Sequence, residues 1–168
     1  MSLLIVCASQ EHGNTRKLAD AMAKEVGGVV VAPAEATGER IAKHEAVAFG
    51  TGVRFGSPYP DLMAAVARLP RQDAKPAVVF STSGFGWRGG HAALTRALRA
   101  KGFVVRDELA CKGLDTVGPL KLFGGVNKGR PDAGELRAAA ALARRLAPAV
   151  PATTVAAPSA GASAQPHA

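Results

Sequence analysis

Short apolar runs alternate along this chain with longer stretches in which apolar residues recur every three or four positions. Residues 3–8 (LLIVCA), 29–32, 46–50, 77–81 and 103–110 form the runs, rich in Val, Ile or Phe and bounded by Gly, Pro or polar residues. Near-continuous apolar runs of this length suit strands buried on both faces. Between them lie the stripes Leu18/Met22/Val26, Leu62/Val66, Leu94/Leu98 and Leu136/Ala139/Leu142/Ala143/Leu146, each the apolar face of an amphipathic helix. Gly27-Gly28 and Gly102 supply helix stops, whereas residues 36–43 predict only a weak helix. Strands alternating with helices predict an α/β fold: one doubly wound domain whose five-stranded parallel sheet carries helices on both faces. Ligands of such sheets bind outside the carboxyl ends of the strands. The loops that begin at Ser9, Gly50 and Ser81 are therefore where chemistry is expected.

Composition narrows the picture. The chain has 168 residues, 48% hydrophobic and 20% charged, enough for one domain with a sizeable core. The stretch 148–168 contains no Lys, Arg, Asp or Glu and is mostly Ala, Pro, Ser and Thr. It has little to bury and repeated proline breaks, so the expected division is a domain over 1–147 and a disordered tail over 148–168. No apolar run approaches the roughly 18–20 residues of a membrane helix. The run at 3–8 is too short for a secretory leader and lacks a basic flank. With two cysteines, a disulfide framework is not expected and a reduced, cytoplasmic chain is.

The net charge is +8, and residues 96–145 alone hold 11 basic against 5 acidic side chains. No Lys/Arg run exceeds two residues, and the aromatic interleaving of single-strand binders is missing. Nucleic acid is therefore not the expected partner; a protein acidic at its docking surface is.

The first loop, Ser9-Gln10-Glu11-His12-Gly13-Asn14-Thr15, joins a strand to a helix. Helix-start N–H groups, two hydroxyls and the Asn14 amide make it a candidate anion site. It is neither GxxxxGK[ST] nor GxGxxG, which disfavours Mg-nucleotide hydrolysis and dinucleotide binding. Gly50 stands where a phosphoacceptor domain would need Asp. The four histidines (12, 44, 91 and 167) are scattered without metal-ligand spacing. Ser83-Gly84-Phe85-Gly86 is not a nucleophile elbow, and no acid, base or nucleophile is nominated. The second and third loops hold Phe55, Tyr59, Phe85 and Trp87, half of the chain's eight aromatics. Large aromatics in glycine-rich loops call for a flat stacking partner or for packing over the end of the sheet.

Ser9-x-x-His12-Gly13-Asn14-Thr15 after an N-terminal apolar strand resembles the phosphate loop of the flavodoxin family. Ala48-Phe49-Gly50-Thr51-Gly52-Val53-Arg54-Phe55-Gly56 is similar to that family's flavin loop after the third strand. Val79-Phe80-Ser81-Thr82-Ser83-Gly84 resembles its loop after the fourth strand, and Asn127-Lys128-Gly129-Arg130-Pro131-Asp132 looks like a signature of family members. The resemblance implies strand order 2-1-3-4-5, bound FMN and one- or two-electron transfer. It assigns the FMN phosphate to Ser9, His12, Gly13, Asn14 and Thr15. The ring falls to Thr51, Gly52, Val53, Arg54, Phe55 and Gly56 on one side, and to Ser81, Thr82, Ser83, Gly84, Phe85 and Trp87 on the other. In that strand order Cys7 and Cys111 stand three strand spacings apart, roughly 14 Å, too far to bridge. The expected function is an FMN-binding redox protein, either an electron carrier or a reductase of a small acceptor. Glu11 within the first loop favours the alternative, a module of the same fold without flavin that binds anions or partners.

Overall fold

Five strands pair side by side in the computed structural model, which describes residues 2–10, 13–113 and 127–146. They are β1 (Leu3–Ala8), β2 (Val29–Val31), β3 (Ala46–Arg54), β5 (Lys75–Ser83) and β6 (Phe103–Lys112). All are parallel in the order β2-β1-β3-β5-β6, which is the expected 2-1-3-4-5 once the short antiparallel β4 (Ser57–Pro58) is set aside. This additional strand turns back onto the end of β3. Every residue of β1 is buried, the condition that makes its sequence read as an unbroken apolar run. Glu11, His12 and the expected tail 148–168 lie outside the described residues.

Helices α1 (Asn14–Val26) and α5 (Ala133–Leu146) cover one face, and α3 (Pro60–Arg68) and α4 (Ala92–Ala100) the other. The weak helix is real but short, α2 (Gly38–Ala42), with Thr37 accepting from the Arg40 N–H at its start. Gly27 ends α1 in the left-handed region, its N–H returned to the Ala23 carbonyl. At the start of α5, Asp132 accepts from the Glu135 N–H while Glu135 accepts from the Asp132 N–H, a reciprocal capping box. Among the described residues, no helix is long and apolar enough to cross a membrane.

Two departures from the expected elements shape the site. Both β3 and β5 run on past 50 and 81, because Ala8 pairs with Thr51 and Gly52 with Thr82. Residues expected in loops, Thr51 to Arg54 and Ser81 to Ser83, are therefore strand residues. Neighbouring backbones extend these strands, whatever the polarity of the side chains. Along β6, Val105 pairs with Ala77 and Asp107 with Val78, so Arg106 is an extra, bulged residue. The bulge inverts the alternation: Phe103 and Val105 face α3 and α4, yet beyond it Leu109 and Cys111 face α1 and α5. Glu108 is thereby turned toward the α4 side.

Candidate functional site

At the carboxyl end of β1 the chain turns through Gly13, whose φ of +64° suits glycine, and enters α1. Glycine cannot cap with a side chain, and the first turn of α1 holds no acid, so α1 itself does not offset the positive end of its dipole. Ser9 Oγ accepts the Arg16 N–H at 3.3 Å. Beside this turn opens a cleft of about 350 Å³ lined by Cys7, Ser9, Gln10, Gly13, Arg16 and Ala32.

Thr15 faces inward instead. Its hydroxyl meets that of Thr82 at 2.8 Å in a buried pair joining the start of α1 to the end of β5. Asn14 lies against Gly113, where a Cβ would stand 2.8 Å from the Asn14 amide nitrogen and 3.2 Å from Thr82. A side chain at 113 would have to displace the Asn14 amide. Asn127 then laces the region together, its amide donating to the carbonyls of Gly84 (2.6 Å) and Gly113 (3.2 Å). The sequence marks Asn127 only as part of a family-like stretch; its task of holding the third loop appears once Gly84 and Gly113 are neighbours.

The second loop is a two-residue hairpin. Phe55 and Gly56 both have positive φ, +51° and +76°, and join Arg54 to its partner Ser57. A large aromatic in the left-handed region is strained, and Phe55 is also 89% exposed. Below it, Thr51 Oγ accepts the Tyr59 N–H and donates to the Gly52 carbonyl. The Tyr59 ring covers Gly52 so closely that a Cβ there would meet it at 2.4 Å. Val53 presses on Gly90, linking the hairpin to the third loop.

In the third loop Ser83 Oγ accepts the Gly86 N–H, and Trp87 lies over Gly89. Phe85 is 90% and Trp87 69% exposed. Thus Phe55, Phe85 and Trp87 stand out on one edge, whereas Thr15, Thr51, Ser81 and Thr82 have buried hydroxyls bonded within the protein.

Behind the third loop lies a network that the sequence did not reveal. Ser81 Oγ is 2.6 Å from His91 Nε2, His91 Nδ1 is 2.9 Å from Glu108 Oε2, and Thr95 donates to Glu108 Oε1 at 2.9 Å. A carboxylate only accepts, so Nδ1 carries the proton, and Nε2 of the neutral ring accepts from Ser81. Burial holds the His91 pKa below the usual histidine value, with Arg88 adding to the effect and Glu108 opposing it. The order resembles a hydrolytic triad, but Ser81 is fully buried and no carbonyl substrate could reach it. The available signal was Arg106-Asp107-Glu108, three charges inside an otherwise apolar strand.

Neither thiol is a nucleophile here. Cys7 and Cys111 are free and buried, and burial pushes both pKa values up to about 12.

Residues 4–126 match the model of a family described as "Flavodoxin domain". An uncharacterized protein of Methanocaldococcus jannaschii, MJ0298, is 31% identical over 148 residues, covering 87% of this chain and 98% of that protein. Among solved structures, a flavodoxin from the domain Archaea superposes with TM-score 0.65 at 17% identity, covering 88% of this chain and 96% of that one. Oxidised Flavodoxin 2 from Bacillus cereus superposes with TM-score 0.63 at 16% identity, covering 88% and 98%.

Proposed function

The chain belongs to the flavodoxin family, and from that premise we propose that it is an FMN-binding redox protein. One observation carries the reading. Phe55, Phe85 and Trp87 stand exposed on two glycine-rich loops at the same sheet edge as the N-terminus of α1, whose first turn holds no acid. Exposed aromatics fit a flat ring, and a helix N-terminus fits a phosphate. The residues present therefore suit a phosphorylated flavin. Gly13, Asn14 and Ser9 would hold the phosphate end, and the hairpin around Phe55 and the loop around Phe85 and Trp87 would border the ring. Bound there, the flavin supplies the electron chemistry, accepting and returning one or two electrons. The protein's part is to bind, orient and screen it from water.

Titrating the full chain with FMN and FAD tests this reading. FMN should bind at least tenfold more tightly, since one phosphate turn is offered and no dinucleotide fingerprint is present. Tighter FAD binding would overturn the assignment. Binding of neither flavin would favour the flavin-free module.

The partner follows from charge. Arg54, Arg88 and Lys128 are exposed beside these loops and the chain carries +8, so the partner we propose is acidic at its docking surface. Its association should slow as salt rises, because steering is screened beyond about 8–10 Å. A rate indifferent to ionic strength would remove charge guidance from the account.

A further inference from the structure

The third loop leaves β5 after Ser83 and re-enters regular structure at α4. Ser81 and His91 sit on its two stems, ten residues apart in sequence, and their side chains meet at 2.6 Å. Glu108 anchors the ring from β6, and Thr95 of α4 orients that carboxylate. A single ring thus ties β5, the 88–91 turn and β6 together directly behind Phe85 and Trp87. Buried polar groups cost stability unless each is satisfied, so the network holds only with its donors and acceptors correctly assigned. With the ring neutral they are: Ser81 donates to Nε2, and Nδ1 donates to Glu108.

A proton arriving at Nε2 changes that. Nε2 becomes the donor to Ser81 Oγ, the bond between them reverses, and the displaced Ser81 hydrogen must find another acceptor in a fully buried position. The elements packed around the 88–91 turn are β4, β5, β6 and α4, and from β3 the apolar Val53 presses on Gly90. Glu108 faces the ring from β6 and favours the cation, whereas Arg88 of the same turn opposes it. From β5 comes the Ser81 hydroxyl, from α4 the Thr95 hydroxyl through Glu108, and β4 (Ser57 and Pro58) adds no charge.

We propose that His91 is the positioning residue of the third loop, a clasp that is closed when the ring is neutral and loosened by one proton at Nε2, which displaces the buried Ser81 hydrogen. The aromatic wall carried by Phe85 and Trp87 is held against the site while the clasp is closed. Its bearing on flavin rests on the FMN reading; the clasp itself does not.

Trp87 is the chain's single tryptophan and lies four residues from His91, so its emission reports the loop. The test follows Trp87 emission and its quenching by iodide on the full chain without added flavin, from pH 8 to pH 5. A step should occur with its midpoint below the usual 6.5. His91→Gln should abolish the step, and Glu108→Gln, which keeps an acceptor but removes the charge, should move it lower. The sign for stability is the same. The unfolded chain binds a proton near 6.5 that the folded chain refuses, so wild-type stability falls as pH drops below that value. In His91→Gln that portion of the fall should vanish. A step that survives His91→Gln, or wild-type emission flat across the range, would overturn the clasp. If FMN fails to bind but the step behaves as described, only the flavin reading is lost.

Discussion

Asn14→Asp should weaken FMN binding at least tenfold and should also lower the stability of the flavin-free protein, by about 1–3 kcal/mol. Asn14 opens α1 in a first turn that holds no acid. A carboxylate there suits the helix dipole, a gain of about 0.3–1 kcal/mol in typical cases, but the Asn14 Oδ1 it replaces is buried, and charging that oxygen costs more than the dipole returns. The same charge faces any phosphate drawn to that helix end. Two unit charges about 5 Å apart at an effective dielectric near 20 repel by ~3 kcal/mol, and solvent exposure reduces this without cancelling it. Calorimetric titration with FMN and urea unfolding of the flavin-free protein check the two halves separately. Undiminished affinity would move the phosphate away from this turn.

Gly50→Ala and Phe80→Ala should each destabilise the protein, yet together cost less than their sum. A Cβ on Gly50 would stand 2.1 Å from the Phe80 ring, which is itself fully buried and has nowhere to swing. Overpacking of this kind costs about 1–3 kcal/mol. Phe80→Ala removes a core ring and should cost about 3–5 kcal/mol. In the double variant the new methyl enters space the ring has left, so the coupling should be favourable by about 1 kcal/mol or more. Urea unfolding of the four proteins measures it, and strict additivity would show that the ring does not own that space. The packing also explains why no acid stands at position 50: the Phe80 ring occupies the place where a side chain there would begin.

The topology was legible because burial on both faces writes itself into composition. The runs at 3–8 and 46–50 can only be central strands, and the stripes at Leu18/Met22 and Leu142/Leu146 can only face a core. The loop edge was legible through its glycines and aromatics. What stayed hidden depends on distant partners. Thr15 and Thr82 are 67 residues apart, and nothing local in either says that their hydroxyls satisfy each other. Phe55-Gly56 lacks the Asn-Gly or Asp-Gly signature of a two-residue hairpin, so β4 went unforeseen. The His91 network was invisible for a sharper reason. On strict alternation from Phe103 and Val105, Glu108 would point to the opposite face from His91, and only the bulge at Arg106 reverses it.

That bulge acts on the outer side of β6 as well. β5 occupies one side of β6, and among the described residues no strand occupies the other. An evenly spaced row of backbone donors and acceptors there would be a template for a strand from another molecule, the first step of edge-to-edge aggregation. The extra residue breaks that spacing near the middle of the strand. It also leaves Arg106 exposed at the kink, with Asp107 beside it bonded to Arg145. An incoming strand would lose its register and meet a charge at the same point. The irregularity that turns Glu108 inward thus also makes the border of the sheet a poor seed for self-association.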